Sequence, residues 1–341
     1  MPELEGPKLL TVERLSAAYT RRRLPPVRAL EDVSFELAPN EVVGVAGESG
    51  CGKSTLLKVL NGLLRPPLQV EKGRVTLHLK GQRVAVTSAR EMSGVRWKNV
   101  SYIPQSSMSV LNPVVRIGRQ FRWVVSAHAR LGRAETDARI KSFIDRVGLP
   151  DRILQSYPHQ LSGGMRQRVV IAMATFLHPQ LVLADEPTTG LDVVVQRSVL
   201  KLIRTLQREF GMTVLMVSHD MGIHYQVSDR TVVMYAGGIA ETAPTETLFS
   251  EPLHPYTQRL IASLPRLGDQ EKRESIAGSP PSLAEPPPGC RFHPRCPAAM
   301  AHCKRVVPPL IEVKPKHFVA CHLYPQPGVA QSAVPTPGAV A

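Results

Sequence analysis

Gly47-Glu48-Ser49-Gly50-Cys51-Gly52-Lys53-Ser54 is the stretch on which the reading of this chain turns. It fits the pattern G-x-x-x-x-G-K-[ST], in which glycines let the backbone wrap a phosphate so that consecutive N–H groups face it. A short apolar run, Glu41 to Ala46 with Val42, Val43 and Val45, leads into the loop, and Lys53 to Leu64 continues in a helical pattern. The N-terminus of that helix adds a dipole favourable to an anion. Lys53 is then placed to neutralise the β- and γ-phosphates of a nucleotide, and Ser54 to coordinate Mg²⁺. A glycine-rich turn that merely starts a helix needs neither the lysine nor the hydroxyl.

Working outward, Leu181-Val182-Leu183-Ala184-Asp185-Glu186 follows about 130 residues later as a buried-strand candidate that ends in two carboxylates. Such a strand delivers Asp185 to the Mg²⁺ shell and Glu186 to a water beside the γ-phosphate, metal positioning and general base respectively. Thr213 to Ser218 and Val232-Val233-Met234-Tyr235 are further buried-strand candidates. Apolar runs of this length separated by helices predict a parallel sheet covered on both faces. Gly73 to Val86 alternates instead over Val75, Leu77, Leu79, Val84 and Val86, which predicts an exposed antiparallel hairpin turning near Gly81. Residues 106–178 lack strand signals and read as a helical insertion.

The length of 341 residues suits two or three domains, and 43% hydrophobic with 21% charged residues excludes wholesale disorder. Lys plus Arg number 42 against 28 Asp plus Glu, a net charge of +14, which favours anionic partners without choosing among nucleotides, nucleic acid and acidic membrane. The longest apolar run, Val169 to Ala184, is interrupted by His178, Pro179 and Gln180 and falls short of the ~20 residues of a membrane span. Met1-Pro2-Glu3-Leu4-Glu5 shows no basic region before an apolar stretch, so no signal peptide is expected. After Pro265 the composition changes: residues 280–341 hold 14 of the 31 prolines. Residues 266–289 therefore read as a linker, 290–323 as a cysteine-rich module and 324–341 as a disordered tail.

Leu161-Ser162-Gly163-Gly164-Met165-Arg166-Gln167-Arg168, just ahead of the Asp-Glu strand, resembles the signature sequence of ATP-binding-cassette (ABC) ATPases. Ser162, Gly163 and Gly164 begin an apolar helix, whose bare N–H groups make a second anion site. The resemblance implies an α/β fold: a P-loop NTPase ABC core over 8–265, with an antiparallel β subdomain, an inserted α-helical subdomain at about 106–178, and a small cysteine-rich C-terminal module. It implies ATP hydrolysis with Mg²⁺, with ATP sandwiched between the phosphate loop of one subunit and the signature of another. Gln105 resembles the glutamine that senses Mg²⁺ and the attacking water. Thr189-Gly190-Leu191-Asp192 resembles the loop that carries an aspartate across the dimer, and His219 of Ser218-His219-Asp220 the histidine on the γ-phosphate. The implied catalytic set is Glu186, His219 and Gln105, with Mg²⁺ on Ser54, Gln105 and Asp185. The implied ATP contacts are Gly47, Ser49, Gly50, Cys51, Gly52, Lys53, Ser54 and Thr55, then Ser162, Gly163, Gly164 and Asp192, and Tyr19 as the adenine-stacking aromatic.

Ser109-Val110-Leu111-Asn112-Pro113-Val114, Ala184 to Val195, Met234-Tyr235-Ala236-Gly237 and Leu253-His254-Pro255-Tyr256-Thr257 look like the ATPase subunits of dipeptide and oligopeptide importers. That branch implies a second, related but non-identical ATPase subunit, two membrane permease subunits and an extracytoplasmic substrate-binding protein, with the chain peripheral on the cytoplasmic face of the membrane. Nickel or glycosides are alternative cargoes. A nucleic-acid-processing ABC ATPase suits the charge, but a single cassette, no long coiled-coil insertion and 5% aromatics speak against nucleic acid.

Cysteine is used unevenly. Cys51 stands in the phosphate loop, ahead of a helix and beside Lys53, surroundings expected to lower its thiol pKa; the alternative is a position that only tolerates a small side chain. Cys290, Cys296, Cys303 and Cys321, spaced C-x5-C-x6-C-x17-C, sit in a proline-rich stretch that needs a staple. A cytosolic setting disfavours disulfides, zinc sites usually show a tight C-x2–4-C pair, and the spacing matches no common ferredoxin, so residue chemistry leaves zinc and iron–sulfur open. The resemblance decides between them, because some peptide-importer ATPases hold a [4Fe–4S] cluster on a similar motif.

Overall fold

The computed structural model describes residues 6–79, 82–86, 89–105, 110–264 and 276–325. Met1–Glu5, the hairpin turn near Gly81, Ser109, residue 265 with the first part of the linker (266–275), and the tail from 326 lie outside the described residues.

In chain order the first elements are β1 (Leu10–Tyr19), β2 (Val27–Leu37), β3 (Val42–Ala46), α1 (Lys53–Leu60), β4 (Leu68–Leu79), β5 (Gln82–Ala85), α2 (Ala89–Val95) and β6 (Val100–Ile103). Helices α3 (Ile117–His128), α4 (Arg133–Arg146) and α5 (Gly163–Thr175) follow. Then come β7 (Leu181–Asp185), α6 (Val193–Phe210), β8 (Thr213–Val217), α7 (Met221–Val227), β9 (Arg230–Tyr235), β10 (Gly238–Pro244), α8 (Thr245–Ser250), α9 (Pro255–Ala262), β11 (Ile311–Lys314) and β12 (His317–Val319).

Two sheets result. One is antiparallel, in the order β2-β1-β4-β5; the other runs β11-β12-β10-β9-β3-β8-β7-β6, parallel from β9 to β6 and antiparallel beyond. Strands β3, β7 and β8 are buried along their whole length, as unbroken apolar runs require. Their alternate residues supply two cores. Val42, Val182, Ala184, Val214 and Met216 face α5 and α6, while Val43, Val45, Leu183, Leu215 and Val217 face α1 and the antiparallel sheet.

Three expectations change. The β4–β5 hairpin is exposed on one side only, because Val75, Leu77, Val84 and Val86 pack into the second core. Helix α1 stops at Leu60 rather than Leu64: Gly62 takes φ 62°, its N–H donates to Val59 O, and Leu63 N–H donates to Lys58 O. That is a Schellman closure, which satisfies the last helical carbonyls. The cysteine-rich stretch is no module of its own. Strand β12 pairs with β10, Glu241 opposite Val319, and so extends the cassette sheet. A fully buried hydrogen bond pins it there, His317 Nε2 to Glu241 Oε1 at 2.7 Å, while Glu241 also accepts the Leu253 and His254 N–H groups.

Candidate active site

The loop between β3 and α1 is shaped by close approach. A Cβ on Gly47 (φ 146°) would lie 2.3 Å from Met234 O, and one on Gly52 (φ 107°) 2.2 Å from Ala29 O. Only glycine fits either position. Lys53, 5% exposed, reaches back over the loop and donates to Gly47 O at 2.7 Å and Glu48 O at 2.8 Å. Its ammonium thus sits within the ring of backbone that encircles a phosphate. Thr55, one turn into the helix, meets the hydroxyl of Tyr19 at 3.1 Å, which sets the half-buried Tyr19 ring at the edge of the loop.

Parallel pairing brings the carboxylates alongside. Asp185 pairs in register with Val217, and the buried carboxylate accepts from Ser54 Oγ at 3.0 Å and from Tyr102 Oη at 2.9 Å. A hydroxyl and a carboxylate this close are a fitting oxygen pair for a small hard cation such as Mg²⁺. Burial, then the Asp185 charge, raise the Tyr102 phenol, so it remains a donor.

Glu186 leaves the strand with φ 44°, a turn that swings its side chain away from Asp185 and into a polar nest. Oε1 accepts from His219 Nδ1 at 3.0 Å, and Oε2 accepts from Gln105 Nε2 at 2.9 Å and Thr189 Oγ1 at 2.8 Å. Burial alone would raise this carboxyl, but the bonds from His219, Thr189 and Gln105 together hold it below its ordinary value. It is therefore ionised at neutral pH, as a base must be, and held in one orientation. Gln105, Glu186 and His219, expected together, are together. Gln105 Nε2 is bonded to Glu186 at 2.9 Å, whereas Ser54 and Asp185 are bonded to each other at 3.0 Å.

The signature residues form a second group. Ser162 caps α5, its Oγ accepting from Met165 N at 3.3 Å, and Asp192 caps α6, its Oδ1 accepting from Val195 N at 2.9 Å. The two helix starts are packed together, since a Cβ on Gly164 would lie 2.6 Å from Val195 Cγ1. Exposed Val193 and Val194 follow Asp192.

Cys51 departs from expectation. It is 5% exposed, and burial pushes the thiol up despite the Lys53 charge beside it, with Lys53 Nζ to Sγ at 3.6 Å. The thiol is a small packing group against the loop rather than an activated nucleophile. Cys290, Cys296, Cys303 and Cys321 line one small cavity with His293 and His322. Among the described residues, however, no group of three or more His, Cys, Asp or Glu side chains is arranged to hold a metal ion. Neither the cluster nor zinc is thus shown by ligand geometry.

Sequence reasoning missed Tyr102, Thr189 as a ligand of Glu186, and the pair of Glu48 with Arg295. Tyr102 carried a weak signal, lying on β6, which ends two residues before Gln105. The pair spans 247 residues and carried none.

The sequence profile of the family described as ABC transporter matches residues 30–189, and that of the oligopeptide/dipeptide transporter C-terminal region matches residues 240–303. The chain is 40% identical over 323 residues to the dipeptide transport ATP-binding protein DppD of Bacillus subtilis strain 168, covering 94% of this chain and 96% of that protein. It is 39% identical over 330 residues to the oligopeptide transport ATP-binding protein AppD of the same organism, covering 95% and 99%. A dimeric ATP-binding cassette solved in a post-hydrolysis state with ADP and Pi shares the fold, with a TM-score of 0.61 at 24% identity over 69% of this chain and 98% of that one.

Proposed function

This chain belongs to the ABC transporter family, and we propose that it hydrolyses ATP to power import of di- or oligopeptides, as one cassette of a pair docked on two membrane permease subunits. One observation carries the reading: Glu186, gripped by Gln105, Thr189 and His219, stands next to Asp185, which is bonded to Ser54 behind the buried Lys53. In this reading Lys53 and the loop N–H groups bind the phosphates, Ser54 and Asp185 hold Mg²⁺ with Gln105 beside them, Glu186 takes the proton of the attacking water, and His219 fixes Glu186 and faces the γ-phosphate. Bound Mg²⁺ would supply charge neutralisation at the phosphates. Ser162, Gly163, Gly164 and Asp192 serve the ATP of the partner cassette, and the exposed valines beside Asp192 suit burial there. Tyr19 stacks on adenine.

Peptide cargo is supported by the relatives' names and the C-terminal match, which favour it over nickel, glycosides or nucleic-acid processing. Among the described residues no helix is long and apolar enough to cross a membrane, so attachment to the cytoplasmic face would come through the permeases. Exposed Val110, Val114 and Trp123 in and before α3 suit such docking. The partner cassette is a related, non-identical chain, and an extracytoplasmic binding protein delivers the peptide. The deciding experiment is a mild-detergent pull-down followed by reconstitution. Permeases should copurify, and peptide-loaded binding protein should raise ATP turnover; nucleic acid with no membrane protein would reject the assignment.

We further propose that the four C-terminal cysteines hold a [4Fe–4S] cluster as a structural staple. What supports it is a donor set of four thiols on one cavity, Cys303 and Cys321 buried and Cys290 and Cys296 half-buried. A cubane takes one thiolate at each of four separated corners and does not need three ligands converging on one ion, as zinc does. Anaerobically purified protein is expected to be brown, with about four irons per chain. Stoichiometric zinc without iron, or no metal at all, would overturn the cluster.

A further inference from the structure

The phosphate loop is held from outside as well as by its own helix. Glu48, its second residue, is bound through both carboxylate oxygens by Arg295, Nη1 to Oε2 at 2.7 Å and Nη2 to Oε1 at 2.9 Å. Arg295 is only 6% exposed and its remaining donors are used too, on Ala277 O, Ile276 O and the Tyr235 hydroxyl. The backbone of Glu48 is fixed as well. Its N–H donates to Tyr256 Oη at 2.9 Å, and its carbonyl accepts from Lys53 Nζ at 2.8 Å. One residue therefore joins the phosphate-binding lysine to an arginine 247 positions away.

Arg295 is itself rigidly seated. It ends a 3₁₀ turn, His293–Arg295, that lies between Cys290 and Cys296. The turn is anchored by Phe292, 2% exposed, whose ring centroid lies 5.2 Å from that of Tyr235 and 5.4 Å from that of Tyr256. Neighbouring Arg291 binds Ala236 O and Glu31, and Gly237 N–H donates to Cys51 O at 2.9 Å. The C-terminal segment thus stands on the same end of β9 that crowds Gly47 through Met234 O.

We propose that Arg295 is a positioning residue of the nucleotide site: by fixing Glu48 it sets the conformation in which the phosphate loop and Lys53 receive ATP. A bidentate arginine–carboxylate pair is directional as well as strong, and in a nearly buried setting it admits one orientation of Glu48. Without it the Glu48 side chain loses its partner, and the Glu48 carbonyl that fixes Lys53 gains freedom. ATP must then order the loop on binding, which lowers affinity. The inference rests on the nucleotide-site reading above.

The test is a double-mutant cycle in the full chain, read by equilibrium binding of a fluorescent ATP analogue well below the melting temperature of every variant. Arg295→Gln and Glu48→Gln should each weaken binding about tenfold, the order expected for losing one charge-assisted pair. The double variant should be no worse than either single, because both remove the same interaction. Arg295→Lys should recover only part of the affinity, since an ammonium cannot make the bidentate grip. In steady state the loss should fall on KM more than on kcat. Unchanged affinity in Arg295→Gln, with or without a lowered Tm, overturns the proposal, as does strict additivity in the cycle. Failure of the unsubstituted chain to bind the analogue would instead overturn the nucleotide site itself.

Discussion

Glu186→Gln should bind ATP as the unsubstituted chain does and hydrolyse it about 100-fold more slowly or worse, because general-base assistance contributes roughly 10²–10⁴. The substitution suits the site. The glutamine oxygen still accepts from Gln105 and Thr189, which both donate to Oε2, and its amide can face His219 once the ring presents an unprotonated Nδ1. Geometry survives and basicity does not. A factor of 100 corresponds to about 2.7 kcal/mol in the barrier. Paired cassettes carrying the variant should also accumulate in the ATP-closed state, since the step that reopens them is blocked. Single-turnover hydrolysis with radiolabelled ATP checks the rate, and size-exclusion chromatography of the complex checks the closed pair. Near-normal turnover would reject Glu186 as the base.

Acid should act on the same group. The Glu186 carboxyl lies below its ordinary value, so the base is present at neutral pH and is lost only as pH falls through that lowered value. This agrees with a base kept ready by three donors rather than one poised by burial, which would have moved it the other way.

The parts of the site that were legible in the sequence are those whose chemistry needs contiguous residue types. A phosphate loop must be glycines, lysine and hydroxyl in fixed order, and a strand that ends Asp-Glu at the sheet's carboxyl edge announces itself by its apolar run. The first two strands were harder to read. Strand β1 shifts register against β2 between Val12 and Leu15 and again before Ala17, with Arg14 at φ 46° and Asp32 of β2 at φ 51°, so its hydrophobic alternation is broken. Strands β10, β11 and β12 are short, and β11 has no buried residue to mark it. What joins β12 to β10 is the Glu241–His317 pair, residues 76 apart that no local pattern connects. Cys51 shows the converse limit: the helix start and Lys53 were visible in sequence, whereas burial, which wins, is a property of the fold alone.

Lys53→Ala should lose the nucleotide rather than the chemistry. The ammonium is set inside the phosphate loop, 2.7 Å from Gly47 O and 2.8 Å from Glu48 O. Hydrogen bonds to charged groups contribute about 1.5–3 kcal/mol each, so losing contacts to two phosphates should weaken ATP binding by roughly 100-fold or more. The loop also loses the cross-strut that draws two of its carbonyls together, which adds an ordering cost to binding. Because Lys53 is buried, Lys53→Met serves as the companion variant: it fills most of the same volume, carries no charge and keeps the core side of α1 packed. Both variants should show the same loss in fluorescent-nucleotide titration while retaining native circular dichroism. The contrast with Glu186→Gln is what makes the pair of experiments decisive, since one separates binding from hydrolysis and the other removes binding itself. An affinity within about twofold of the unsubstituted chain in Lys53→Met, at 1.4 kcal/mol per factor of ten, would mean that the backbone N–H groups carry the phosphates alone.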